Sequence, residues 1–381
     1  MTKLLPYISV IVPVYNGRDL LTKCLDALFS SSYRDFEVLV VNDCSTDDSP
    51  EIAADKGARV ISTSRRSGPG AARNLAAERA VGEILMFVDA DVVVKSDTLE
   101  RIASRFKDQP GISALFGSYD DEPAEKNFLS QYKNLQHHFV HQHSNSDAST
   151  FWSGLGAMRR AVFLQHHGFD HKKFSEPSIE DIDLGSRLRV AGQAILLDRD
   201  IQAKHLKKWT VRSHLRTEIF CRALPWSRLI VEKQVLINDM NLKTSDRLSA
   251  ILVGLFAITL PFIVWQPFTL VVSTFLAAVF LFLNREMLQF FCGKKGLLFA
   301  IMTIPWQMLY FLYSGATFAL CWIWYGSFRS LLIDKSKVVR QEKMNAGNGG
   351  TRRPRSVGLI PHYSRYGAVG HYGHVGLRDS P

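Results

Sequence analysis

The sequence has little cysteine, five residues in 381, and Cys24, Cys44, Cys221, Cys292 and Cys321 fall at no paired spacing. That excludes a disulfide framework and fits a reducing, cytosolic setting. Nor is a secretory leader expected. The apolar start "MTKLLPYISVIVPVYNG" is short and broken by Pro6 and Pro13, so it reads as a first strand. The glycine-rich turn in "RRSGPGAARNLAAERA" has neither the Gly-Lys-Ser/Thr of a P-loop nor the glycine spacing of a dinucleotide fingerprint, which removes two common nucleotide-binding devices. Between Arg247 and Arg285 there is no charged residue, and only a Gln-Pro step interrupts the apolar run.

What charge there is lies unevenly. The formal total is +10, yet residues 1–198 hold 22 basic and 27 acidic side chains. The excess lies before Leu248, in the loop "NREMLQFFCGKKG" and after Tyr325, beside the apolar segments and not on the soluble part. A nucleic-acid partner is therefore not expected. By the positive-inside rule these basic clusters belong in the cytoplasm. Residues 248–283 and 297–325 are long and apolar enough to read as membrane spans. The first forms a hairpin. The second either returns as a pair broken near Pro305 or crosses once and carries the basic tail to the other side. The expectation is a multi-pass protein of the inner (plasma) membrane with a cytoplasmic catalytic domain. Its divisions fall at 1–210, an interfacial amphipathic stretch at 211–247, spans at 248–325 and a basic, disordered tail at 326–381.

The soluble half alternates. "YISVIVPVY", "FEVLVVND", "ARVIST" and "EILMFVDAD" read as strands, separated by helical stretches with the 3.6-residue period. Alternation of this kind predicts an α/β fold with a mostly parallel, Rossmann-like sheet covered by helices on both faces. Ligands in such sheets sit outside the carboxyl ends of the strands. Those ends carry Tyr15 and Asn16, then Asn42 and Asp43, then Asp89 and Asp91. Two acids one residue apart on a strand point the same way, and Mg2+ or Mn2+ pairs carboxylate with phosphate oxygen. Gly68, Pro69 and Gly70 let backbone approach a ligand at a helix start that favours anions, with Arg73 and Asn74 in its first turn. "PSIEDIDLGSRLRVAG" sets Glu180, Asp181 and Asp183 at the first turn of another helix. The paired His137 and His141 of "HHFVHQH" lack an acid or cysteine partner and are expected to be surface residues.

Taken together, "VPVYNG", "VNDCSTDDS", "GPGAARN", "FVDADVVV", "SGLGAMRR" and "IEDIDLGSRL" resemble the family-two inverting glycosyltransferases of GT-A fold, over about residues 7–209. The resemblance implies a nucleotide-sugar donor, a UDP-sugar first among them, and Mg2+ or Mn2+. It implies that Pro13, Tyr15, Asn16 and Asp43 hold the nucleoside, that Arg73 and Asn74 lie at the diphosphate or sugar, and that Asp89 lies by the ribose and donor sugar. Asp91 is then a metal ligand of the DXD motif, and Asp181 of the Glu180–Asp181 pair the general base. Gly154 would line the acceptor pocket. In "AKHLKKWT", where polysaccharide synthases of the family show Gln-x-x-Arg-Trp, His205 would complete the metal site, with Lys208 and Trp209 facing phosphate and acceptor. The departure speaks against a chain-extruding synthase. The expected activity is transfer of a hexose to a membrane-associated acceptor, lipid-linked or amphiphilic, by single displacement. A processive polysaccharide synthase and a nucleotidyltransferase are the alternatives.

Overall fold

The computed structural model describes residues 6–233 and 238–347, with side chains through Tyr325. Met1–Ser327 form one compact unit. Its first part is β1 (Ile8–Val14), α1 (Arg18–Phe29), β2 (Phe36–Asn42), α2 (Ser49–Asp55), β3 (Arg59–Ser62), α3 (Gly68–Arg79) and β4 (Ile84–Val88). Then come β5 (Val92–Val94), α4 (Thr98–Asp108), β6 (Ile112–Tyr119), α5 (Phe128–Gln142), β7 (Leu155–Arg159), α6 (Arg160–Gln165), α7 (Glu180–Val190) and β8 (Ala194–His205).

Strands β1, β2 and β4 are nearly continuous runs of Val, Ile, Leu, Phe and Met, as strands covered on both faces require. The eight strands form one sheet in the order β3-β2-β1-β4-β7-β6-β8-β5. The β3-β2-β1-β4 half is parallel. The other half is mixed, with β7 antiparallel to both neighbours, β6 parallel to β8, and β5 antiparallel to β8. This α/β sheet, with a hydrophobic layer on each face, is the GT-A, Rossmann-like architecture.

Asp89 and Asp91 do not share a strand. β4 stops at Val88, β5 begins at Val92, and the Val92 amide donates to the Asp89 carbonyl at 3.0 Å. A tight turn therefore presents the two acids, and the alternation argument for their common direction does not apply. Because β5 pairs with the end of β8, Val92 lies opposite His205.

The packing of α7 depends on one glycine. A methyl group at Gly185 would stand 2.2 Å from the Phe151 nitrogen and 2.6 Å from the Thr150 carbonyl carbon, so only glycine lets the helix lie on this backbone. Gly185→Ala is expected to destabilise the domain by about 2 kcal/mol through overpacking. Thermal melting would read this as a fall of roughly 5 °C in Tm, and an unchanged melt would show that α7 can move away freely.

After β8 the chain is helical: α8 (Val211–Arg216), a π-helical turn at Thr217–Ala223, α9 (Leu224–Lys233), α10 (Thr244–Thr259), α11 (Phe268–Leu283), α12 (Arg285–Lys295) and α13 (Leu297–Gly347). Among the described residues two helical stretches are long and apolar enough to cross a membrane, Thr244–Val264 and Leu297–Tyr325. The first, of 21 residues, is about 31 Å long, matching a hydrocarbon core of about 30 Å. A third crossing exists only if α11 and α12, bent by 68°, count as one span. Large apolar side chains such as Ile258, Phe275 and Trp322 are exposed on these helices. Of the two arrangements left open for 297–325, the pair broken near Pro305 does not occur, since α13 continues through that proline. It continues to Gly347, so the segment from 326 expected to lack structure is helical that far; the rest of that expectation lies outside the described residues. The helix α12 packs Phe291 against Tyr132, Leu135 and Trp209, and Lys294 pairs with Asp121, tying the helical region to the sheet domain.

Candidate active site

The strand ends open into one cavity of about 760 Å³. On the β1–β2 side its wall holds Pro13, Tyr15, Asn16 and Asp43. Both strands leave the sheet through left-handed residues, Asn16 at φ 50° and Cys44 at φ 62°, a conformation that non-glycine residues adopt at a cost. The Asn16 side-chain oxygen accepts from the Thr46 amide at 2.7 Å and locks the two strand ends together. Asp43 accepts from the Ser67 and Gly68 amides, both at 2.8 Å, and from Thr63 Oγ1 at 2.9 Å. It thereby shapes the loop before α3. At Gly68, φ is +82° and a Cβ would meet the Ser175 carbonyl oxygen at 2.3 Å, so this approach requires glycine. Half-exposed Tyr15 carries the Arg66 guanidinium over its ring at 4.1 Å, a flat cationic platform that the sequence reading did not include.

Arg73 is the hub. It is buried, donates to Asp89 at 2.6 Å and to Glu180 at 3.1 Å, and so joins α3, the β4–β5 turn and α7. Burial would lower its pKa, but the two carboxylates outweigh that and raise it. Glu180 also accepts from the Ser178 amide at 3.0 Å, so its carboxylate is engaged in holding the site. Its neighbour Asp181 is available to the cavity. One oxygen accepts from the Ser153 amide and hydroxyl at 3.0 and 3.1 Å, the other from the Ile182 amide at 2.8 Å.

Asp91 Oδ2 lies 3.4 Å from His205 Nε2. Burial pushes both turn acids up. For Asp91 the hydrogen bond and charge of His205 outweigh burial and hold its carboxyl below the usual range, whereas Asp89 remains raised despite Arg73. Asp91 is thus the more firmly ionised of the pair. Tyr119 stacks on His205 with centroids 4.1 Å apart and an interplanar angle of 7°, fixing the ring. Among the described residues no group of three or more His, Cys, Asp or Glu side chains converges on one point. Two protein donors still fit a hard divalent cation, which takes its other ligands from phosphate oxygens and water.

Several expected residues lie elsewhere. Asn74 does not line the cavity; its amide donates to the Phe169 carbonyl at 2.8 Å and accepts from the Phe169 nitrogen at 2.9 Å. Trp209 is buried against α5 and α12, and its backbone amide donates to Ser130 Oγ at 2.7 Å. Lys208 is exposed, and the neighbouring Lys207 lines the cavity instead. Gly154 is in the wall, where a Cβ would strike the Trp152 ring. His137 and His141 are not surface residues. They stack with Tyr119 and Trp152 in the cavity wall, and burial first of all pushes His141 down to about 4. His141 Nδ1 meets the Gly117 carbonyl oxygen at 3.0 Å, a partner that sequence spacing could not reveal.

The stretch expected to lie on lipid has an inward face as well. Glu218, Cys221, Arg222 and Trp226 line the cavity, while Phe220 and Leu224 are exposed. Opposite them Tyr310, Tyr313 and Phe318 of α13 complete the wall. One chamber therefore joins the strand ends to the apolar helices.

The sequence profile described as Glycosyl transferase family 2 matches residues 9–167. Among curated relatives, the glycosyltransferase AglE of Haloferax volcanii is 40% identical over 125 residues, covering 31% of this chain and 38% of that protein. The glycosyltransferase GlyA of Streptococcus pneumoniae is 27% identical over 233 residues, 57% of this chain and 33% of GlyA. The chain spans about two fifths or less of the length of such relatives. Among solved structures, a mannosyltransferase from Pyrobaculum calidifontis, in complex with GDP-Man and Mn2+, overlaps 83% of this chain and 88% of its own at 17% identity and a TM-score of 0.47. Residues 9–167, which carry the strand ends, the Arg73 hub and the Asp89–Asp91 turn, are a glycosyltransferase family 2 domain.

Proposed function

We propose that the protein is a membrane-anchored glycosyltransferase that moves a sugar from a nucleotide-diphosphate donor, a UDP-sugar first among them, to a membrane-associated acceptor with inversion. The observation that carries this reading is the single chamber. Asp181, Arg73, Asp89 and Asp91 stand at one end, and the side chains of α13 at the other. A soluble acceptor has no need of the second end.

In this reading Tyr15, Arg66, Asn16 and Asp43 receive the nucleoside. Lys207 and the amides at the start of α3 face its diphosphate. Asp91 and His205 would hold the Mg2+ or Mn2+, which supplies charge compensation to the departing nucleoside diphosphate. Arg73 keeps Asp89 and Glu180 fixed, so these acids hold position in place of reacting. Asp181, oriented by Ser153, removes the proton from the acceptor hydroxyl. With one base and no second carboxylate placed as a nucleophile, the chemistry is single displacement.

Membranes carrying the full chain, given a panel of nucleotide sugars with Mn2+, are expected to release nucleoside diphosphate from one donor class. Release from no member of the panel would remove this reading.

A further inference from the structure

At the far end of the chamber two cations share a single neighbouring carboxylate. The Thr217–Ala223 turn is π-wound, a rare geometry that recurs at functional sites. It brings Glu218 and Arg222 into the wall. Glu218 is buried and accepts from Lys133 Nζ at 2.8 Å and from Arg222 Nη1 at 2.7 Å, with Tyr313 Oη at 3.4 Å. Burial would raise this carboxyl, but Lys133 and Arg222 hold it down at about 2, so it stays charged at any physiological pH. The neighbouring His214 adds nothing at neutral pH, because burial and then Lys133 push it down to about 4. Two cations thus share one anion. Lys133 is nearly covered and its remaining contact is the neutral Gln136 side chain at 3.1 Å, while 42% of the Arg222 side chain is open. The local surplus is therefore presented by Arg222, whose open side faces the chamber and feels Asp181 across it. Asp246 and Arg247, also in the wall, carry opposite signs and offset each other.

We propose that this end of the chamber binds the phosphate of an amphiphilic acceptor, with Arg222 as its main ligand and the hydrocarbon chain running along α10 and α13. The inference rests on the membrane-acceptor reading above and names the acceptor's chemistry. A phosphodiester carries one negative charge, matching the surplus, and a guanidinium fork pairs with phosphate oxygens in a way an ammonium does not. Beyond Arg222 the wall is aromatic and apolar, with Tyr310, Phe311 and Phe318, as a hydrocarbon chain requires. Bound there, the headgroup lies in the same chamber as Asp181, so a hydroxyl of the acceptor can meet the base.

The test uses the full chain in dodecyl maltoside micelles, with tryptophan fluorescence reporting the binding of lauroyl-lysophosphatidylglycerol, of its neutral counterpart monolauroylglycerol, and of inorganic phosphate. The wild type is expected to prefer the phosphate amphiphile by about tenfold or more, a margin of roughly 1.4 kcal/mol. Arg222→Gln should abolish the preference, and Arg222→Lys should keep only part of it. Glu218→Gln frees a second cation, so the phosphate amphiphile should raise its Tm more than it raises that of the wild type. Equal affinity of the two amphiphiles for the wild type would overturn the proposal, whatever the variants do. So would inorganic phosphate binding as tightly, or displacement of the amphiphile by saturating UDP with Mn2+, which would place the anion in the donor site. Nucleoside diphosphate release is read on the same preparation. Release without a phosphate preference sinks this inference alone, whereas preference without release sinks the transferase reading.

Discussion

Asp181→Asn is expected to lower the turnover of sugar transfer by about a hundred- to ten-thousandfold, the usual contribution of a positioned base, while donor affinity stays within about twofold. The split follows from the geometry. Asp181 lies in the chamber on the first turn of α7, fixed by Ser153 and by its own helix. The Arg73 hub and the Tyr15 platform, to which the proposed function assigns the donor, do not use it. Asparagine preserves the shape but cannot accept a proton. It also turns a donor toward either the Ser153 or the Ile182 amide, so a loss of about 1 kcal/mol in stability accompanies the kinetic effect. Single-turnover release of nucleoside diphosphate, beside a nucleotide titration, checks both halves. Equal turnover in wild type and variant would mean that Asp181 is not the base.

The second large effect concerns the proposed metal site. Asp91→Ala should weaken the Mn2+-dependent part of nucleotide binding by about a hundredfold, at the upper end of what coordination-shell substitutions do. His205→Ala should weaken it by about tenfold, because a carboxylate held ionised contributes charge as well as a donor atom. Calorimetric titration of UDP with and without Mn2+ separates the metal-dependent part. Curves for Asp91→Ala that match the wild type in both conditions would remove Asp91 from the site.

Much of the strand-end side of the chamber was legible because local rules govern it. Strands β1, β2 and β4 are apolar throughout, which marks strands covered on both faces, and polar residues follow directly at their ends. The start of α7 was readable from its clustered acids. The less regular strands β6 and β8 were not called from the sequence. Each carries polar residues along its length and takes its place in the sheet from distant partners. Asp89 and Asp91 both line the chamber, presented by a turn and not by strand alternation.

Register and tertiary pairing account for the remaining misses. In "AKHLKKWT" the chain leaves β8 at His205, and past a strand end the two-residue period no longer decides which side chain faces in. Lys207 consequently replaces Lys208 in the wall, and Trp209 turns into the contact with α12. His137 and His141 looked superficial because their partners, Gly117, Tyr119 and Trp152, are remote in sequence. The stretch 211–247, which holds Glu218 and Arg222, reads from the sequence as an interfacial amphipathic segment. Only the position of Lys133 and Tyr313 shows that Glu218 is buried. Contacts between elements, which no window of sequence contains, built this half of the chamber.

The central claim is that one chamber brings a nucleotide-bound sugar to an acceptor supplied from the membrane. It is tested most directly by giving radiolabelled nucleotide sugar to membranes bearing either the wild type or Asp181→Asn and extracting with butanol. The account predicts label in the organic phase for the wild type and background for the variant. Label that remains wholly in water, or that enters butanol equally for both proteins, would contradict it.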